Sequence, residues 1–420
     1  MGLTRHAHFR EVFEQLGPGL ITGAADDDPS GISTYSVTGA AFGYTTLWTA
    51  LFSFPIMAAV QLMCARLGMV TGRGLAGVIR KRYPRWVLAG SCVLLVIANL
   101  FNIGADLGGM ADAMQMLTGV VSYVWTPLFA IGIVAALILS SYRMLVKVFK
   151  YLTLVLFAYI GAALLAHPQW NAVLMNTLVP HIEWTREFIS TLVGILGTTI
   201  SPYLFFWQAS QEVEEEREMG RVTVKARRGA TDTELRAARN DVVVGMFFSN
   251  LVMYFIILTA AATLHRTGQT HITTAAQAAE ALTPIAGKLA YLLFTLGLVG
   301  TGILAVPVLA GSCAYAISEA WAWRASLNSR PRIGWKFYLV LAVSVLVGWS
   351  LDYAGLDAVR MLFASAVLNG LLAPPLIVIV VLLTSDKRVM GERVNSKTLQ
   401  ALGWICAASM GLAAIALVFL

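Results

Sequence analysis

Charge is scarce in this sequence. Only 13% of its residues are Asp, Glu, Lys or Arg, where a soluble domain carries about 25%. At half that share there is too little polar surface to keep a compact particle in water, which excludes a chain of soluble domains. Cysteine is scarce as well. Cys64, Cys92, Cys313 and Cys406 lie in four separate apolar stretches with no CxxC pair, so neither a disulfide framework nor a thiolate metal site is expected. Six histidines (His6, His8, His167, His181, His265 and His271) fall in the N-terminal tail or between the long apolar runs. No imidazole is therefore expected inside an apolar segment, where it would serve as a group titrating near neutrality. The opening MGLTRHAHFREVFEQLGPG is too polar to hold the apolar core of a cleavable signal, and none is expected.

Hydrophobic residues fill the space: 58% of 420, with a mean hydropathy of +0.72. A helix crosses a bilayer with about 20 apolar residues. Eleven stretches qualify, at approximately 17–41, 45–71, 87–117, 121–141, 147–167, 187–211, 240–264, 286–311, 336–352, 357–384 and 398–420. The expected fold class is an all-α polytopic membrane protein whose 420 residues form a single membrane transport domain.

The net charge of +7 raises the question of nucleic acid, and the positions of the cations argue against it. With the N-terminus on the cytoplasmic side, 26 of the 30 basic residues fall on the inner side, the bias that orients membrane proteins. Only Arg186, Arg266, Lys288 and Arg360 fall elsewhere. An inner-membrane location follows, with the C-terminus external, a lipid bilayer as surroundings, no nucleic-acid partner and a monomer as the expected state. The longest polar insert, about 212–239, reads as a solvated, partly helical cytoplasmic connector, with Gln211 and Glu212 at its mouth.

Two of the eleven spans carry interruptions. The first reads GPGLITGAADDDPSGISTYSVTGA, with Asp26, Asp27 and Asp28 in mid-span followed by Pro29, Ser30 and Gly31. Proline removes a backbone donor and clashes with the preceding turn, and glycine adopts conformations a helix does not use, so the helix is expected to break. A carboxylate near the bilayer centre costs at least about 2.5–3.5 kcal/mol, and a bound cation offsets that. The sixth span, STLVGILGTTISPYLFFWQASQE, is broken near Thr198, Thr199, Ser201 and Pro202. The two breaks stand five spans apart, an odd offset that inverts one half relative to the other. Paired broken helices in inverted repeats point to a transporter's midplane site.

GPG-x(8)-DP followed by QLMCARLGMVTGRGLAGVIRKRYP resembles the Nramp family of divalent-metal transporters, and NIGADLGGMADAMQML and SYRMLVKVFKYLTLVLFAYI are similar to its next spans. The resemblance implies the leucine-transporter-like fold: two inverted five-helix repeats, 17–167 and 187–384, plus an eleventh helix at 398–420. It also implies alternating access and uptake of a divalent cation as substrate, with no cofactor and no enzymatic activity. The family's Asp-Pro-Gly-Asn motif falls on Asp28-Pro29-Ser30-Gly31, which keeps the acid and loses the Asn side chain. Its Ala-x-x-Met-Pro-His motif falls on Thr198-Thr199-Ile200-Ser201-Pro202-Tyr203, where Met becomes Ser201 and His becomes Tyr203. Asp28, then Asp27, the Thr198 carbonyl and Ser201 are the expected metal ligands. Asp26, Ser30, Gly31, Tyr203, Asp106, Gln208, Asn250 and Asn369 are candidates for supporting or pathway roles.

Loss of a thioether removes the soft ligand, and oxygen donors suit Mg²⁺ and Mn²⁺. Mg²⁺ retains water readily, so a roomier acidic site resembles the divergent magnesium-transporting branch of the family. The alternative is ordinary proton-coupled Mn²⁺/Fe²⁺ uptake. Asp106 keeps one of the family's proton-path acids, and it reads either as a relay or supporting acid or as a packing residue hydrogen-bonded to Asn102. Asn250 and Asn369 read first as interhelical hydrogen-bonding residues. An amino-acid symporter would find its substrate carboxylate repelled by three aspartates, and an intramembrane aspartyl enzyme would need Asp106 paired with Asp28.

Overall fold

The computed structural model describes residues 17–139, 154–327, 331–352 and 357–420. His6, His8, Arg5, Arg10, Arg143, Lys147, Lys150 and Arg330 lie outside the described residues, as does the junction of the fourth and fifth expected spans. In chain order the main helices are α1 (Pro18–Asp26), α2 (Pro29–Phe42), α3 (Trp48–Thr71), α4 (Arg85–Thr118), α5 (Ser122–Leu139), α6 (Ala158–Leu165), α7 (Arg186–Thr199), α8 (Pro202–Glu218), α9 (Asp232–Thr263), α10 (Ala290–Ala320), α11 (Trp335–Asp352), α12 (Ala358–Ser385) and α13 (Lys397–Phe419). No strand occurs among the described residues. Among them, nine helical stretches, one of which runs across the break between α7 and α8, are long and apolar enough to cross a membrane. The first expected span appears as the short pair α1 and α2, and the fifth as the apolar helix Val155–Leu165.

Both expected interruptions are present, and they share one construction. After α1, Asp27 (φ −82°, ψ 49°) and Asp28 (φ −69°, ψ 170°) leave helical geometry, and Pro29 starts α2. After α7, Ile200 (φ −126°, ψ 55°) and Ser201 (φ −74°, ψ 134°) do the same, and Pro202 starts α8. Proline suits a first helical position because its missing N–H would have no partner there. Each break is therefore two non-helical residues, the second of them extended, closed by a proline.

The polar insert is shorter than expected. Helix α8 runs on to Glu218, and α9 begins at Asp232 with a Thr231–Glu234 capping box, so the connector shrinks to 219–231 and itself holds the short helix Val224–Arg227. Gln211 and Glu212 are buried instead of solvated, because α8 packs along α3 and the loop cations close over its end. Arg217 pairs with Glu214, Arg221 with Glu234, Arg393 with Asp232, and Arg82 with Asp386 at 2.6 Å. These pairs bring the loops that follow the second, sixth and tenth spans to one end of the bundle.

Helices α1 and α2 lie against α9, α7 against α12, and α4 against α10 and α11. Small residues set the closest approach. A Cβ on Gly19 would stand 2.6 Å from the Val242 nitrogen, and one on Gly23 would overlap the Gly245 backbone. Replacing Gly23 with alanine is expected to destabilise the protein by about 1–3 kcal/mol, the usual cost of overpacking. Thermal unfolding in detergent measures this, and an unchanged midpoint would show that α1 rides loosely on α9. Large apolar side chains are exposed along the outer helices, including Leu128, Ile131, Leu139, Leu412 and Val418, as expected of a surface facing hydrocarbon.

Candidate metal site at the two helix breaks

The three aspartates are buried, at 0, 4 and 2% exposure for Asp26, Asp27 and Asp28. A regular helix turns each side chain about 100° from the last, and the break adds to that divergence. Asp28 caps α2: its Oδ1 accepts from the Gly31 N–H and the Ser30 hydroxyl, both at 2.7 Å. Its Oδ2 accepts from Asn102 Nδ2 at 3.0 Å and stands 3.4 Å from the Tyr203 hydroxyl. Asp26 and Asp27 turn to α9 instead. The Ser249 hydroxyl lies 2.6 Å from Asp26 Oδ2 and 3.3 Å from Asp27 Oδ1. Among the described residues, no three His, Cys, Asp or Glu side chains stand close enough to hold a metal unaided. A cation held here would need backbone, amide or hydroxyl oxygens as well.

The second break faces the first. Tyr203, the second residue of α8, donates its hydroxyl to the Ala25 carbonyl at 2.9 Å, the last turn of α1. Thr198 Oγ1 bonds the Tyr35 hydroxyl of α2 at 3.0 Å. Ser201 turns backward, its hydroxyl 2.8 Å from the Gly197 and Thr198 carbonyls. It ties up carbonyls that end α7 without helical partners. The Thr198 carbonyl expected as a ligand keeps its second lone pair.

The expected Asn102–Asp106 pair does not form. Asn102 donates to Asp28, and Asp106 lies beside the Ser30 backbone N–H, yet neither of its carboxyl oxygens completes a hydrogen bond. Asn102 Oδ1 and Asp26 Oδ1 are likewise buried without a partner. The centre thus holds acceptor oxygens in excess of its donors. None of its carboxylates is within ion-pair distance of a Lys, Arg or His among the described residues. Buried polar groups are ordinarily satisfied, and adjacent carboxyl groups in a water-poor site repel one another unless a cation stands among them.

The other candidates scatter. Gln208 accepts from the Thr22 hydroxyl at 2.5 Å and donates to Glu212 at 2.8 Å, joining α1 to α8 below the breaks. Asn250 reaches Ser53 Oγ and Met57 Sδ of α3 at 3.4 and 3.3 Å. Asn369 is buried in α12 with neither amide atom partnered. Sequence reasoning singled out Asn250 and missed its neighbour Ser249, which holds two of the aspartates. One residue is a 100° step, and only packing decides which of the pair faces inward. Asn102 carried a readable signal: it precedes Asp106 by four residues, so the two share a helix face.

Comparison with known proteins follows the same lines. A family model described as natural resistance-associated macrophage protein-like, Nramp, matches residues 19–420. The chain is 29% identical over 393 residues to the divalent metal cation transporter MntH of Yersinia enterocolitica, covering 92% of this chain and 90% of that protein. Its fold is similar to the crystal structure of a manganese transporter of Eremococcus coleocola bound to an aromatic bis-isothiourea compound. The TM-score there is 0.75 at 18% identity, covering 98% of this chain and 87% of that one. Mhp1, a nucleobase-cation-symport-1 family transporter in a closed conformation, superposes at a TM-score of 0.54 with 14% identity, over 96% of this chain and 92% of Mhp1.

Proposed function

The chain belongs to the Nramp family, whose members are membrane transporters and not enzymes, and from that premise we propose that it imports divalent metal cations by alternating access, with Mg²⁺ and Mn²⁺ as substrates. The observation that carries this is the surplus of buried acceptor oxygens at the breaks, on Asp26, Asn102 and Asp106, with no Lys, Arg or His among the described residues to meet them. In this reading Asp28 supplies the first ligand and Asp27 the second, swinging off its long contact to Ser249. The Thr198 carbonyl and the Ser201 hydroxyl add neutral oxygens from the opposite break. Asn102 and Tyr203 hold Asp28 in place. The set contains no sulfur or nitrogen, which suits Mg²⁺ and Mn²⁺, and a Mg²⁺ bound there retains part of its water. Segments 17–167 and 187–384 act as the two inverted repeats that rock about the site. The N-terminus lies in the cytoplasm and the C-terminus outside.

Membrane potential supplies the drive. A divalent cation entering gains about 4.6 kcal/mol per 100 mV, twice the value for a single charge. Uptake of Mn²⁺ or Mg²⁺ into proteoliposomes under an imposed inside-negative potential is expected to proceed with the internal pH unchanged. A second reading, proton-coupled Mn²⁺/Fe²⁺ uptake, is favoured by Asp106, a buried carboxyl without a partner one helical turn from Asn102. Internal acidification in step with uptake, abolished in Asp106→Asn, would establish that reading and remove the potential-only mechanism.

A further inference from the structure

Two clefts open at the end of the bundle where the short helix Leu75–Arg82, the turn Val224–Arg227 and the helix Lys387–Met390 meet. One, of about 420 Å³, is lined by six cations, Arg73, Lys81, Arg82, Lys225, Arg228 and Arg388, together with Thr71 and three valines. No acid lines it. Its neighbour, of about 480 Å³, shares Arg73 and adds Arg80, Arg217, Arg227 and Arg324 against the single acid Glu319. Glu319 is already engaged, accepting from the Gly74 and Gly77 N–H groups at 3.1 and 2.9 Å.

Of the six cations, only Arg82 has an ion-pair partner among the described residues, Asp386 at 2.6 Å. Like charges gathered this closely repel one another. The Lys81 ammonium shows it: the Arg73 charge holds it below its ordinary range, with partial burial, Arg228 and Arg80 acting in the same direction. A fold that retains such a cluster is most stable with a counter-anion in it.

We propose that this cleft binds a multiply charged phosphate anion. Four of the six cations are arginines, whose planar forks match phosphate oxygens two at a time. The apolar part of the wall is Val78, Val224 and Val389, which offers neither an aromatic face to stack a base nor a groove to hold an acyl chain. Recognition therefore falls on the phosphate charge itself, supplied by a soluble polyphosphate or by the exposed headgroup of an anionic lipid. The cations come from three segments far apart in the chain, so a bound anion ties these segments together. The inference stands apart from the metal reading, because it uses none of the residues at the helix breaks.

The test titrates the purified full chain in phosphatidylcholine nanodiscs with sodium tripolyphosphate in metal-free buffer, followed by calorimetry. Saturable binding is expected, weakening as salt rises. The triple variant Lys81→Gln/Lys225→Gln/Arg228→Gln should weaken it about a hundredfold, at roughly a fivefold loss for each basic residue removed. Arg388→Gln alone should weaken it several-fold, and Lys288→Gln, exposed and outside the cleft, should leave it unchanged. A parallel arm measures melting temperature in nanodiscs with and without phosphatidylinositol phosphate. A cleft-dependent rise with the lipid but no tripolyphosphate binding assigns the anion to the membrane, and the converse assigns it to solution. Absence of both responses, or wild-type binding in a folded triple variant, would overturn the proposal.

Discussion

Replacing Asp28 with asparagine is expected to abolish divalent-metal binding while leaving the protein folded. Asp28 has a structural duty beside its proposed chemical one, since it caps α2 through the Gly31 N–H. Any substitution that loses the cap would confuse the two. Asparagine is as good an N-cap as aspartate, keeps the volume, and retains an oxygen for Gly31 and Ser30. What it removes is the charge and the acceptor for Asn102 Nδ2, and Asn102 can answer the new amide N–H by turning its unpartnered Oδ1 toward it. Losing one partner of a buried charge pair costs about 2–5 kcal/mol, so calorimetric affinity for Mn²⁺ should fall at least about thirtyfold with an unchanged melting temperature. Asp28→Ala should show the same loss of binding plus a lower melting temperature, because the cap goes as well. Wild-type affinity in Asp28→Asn would mean that the aspartate is a cap and nothing more, and the site would have to lie elsewhere.

The second large effect concerns Cd²⁺. With oxygen donors alone, Cd²⁺ should compete poorly with Mn²⁺ for uptake, because soft metals are selected by sulfur ligands. Ser201→Met brings a thioether to the second break and should raise Cd²⁺ competition by about tenfold or more, some 1.4 kcal/mol. The substitution also frees the Gly197 and Thr198 carbonyls that the serine hydroxyl now occupies, at a stability cost of about 1–3 kcal/mol. Ser201→Ala frees the same carbonyls without adding sulfur, so its Cd²⁺ response should match wild type. Strong Cd²⁺ competition in the unaltered protein would instead favour the ordinary proton-coupled transporter and a soft ligand not recognised here.

Much of this architecture was legible in the chain because its rules are local. Asp28-Pro29 and Ser201-Pro202 stop helices wherever they occur, since proline cannot donate the N–H that continues a helix. Length and apolarity likewise mark the spans. Local signals misled where tertiary packing took over. The run Glu212 to Glu218 is charged enough to read as loop, yet it extends α8, with Arg217 paired to Glu214 and Arg221 to Glu216. Asn102 read as the partner of Asp106 four residues on, and it turned instead to an aspartate 74 positions away.

By itself, the sequence determined the helical membrane class, the two interruptions, the acid at the first and the missing sulfur at the second, because each depends on a residue and its immediate neighbours. Only the tertiary structure decided that Asp28 points to Asn102 and Tyr203 while Asp26 and Asp27 share Ser249, and that six cations from three segments line one cleft. Direction around a helix changes by 100° at every residue, so a facing partner is fixed by how helices far apart in the chain come to rest against one another.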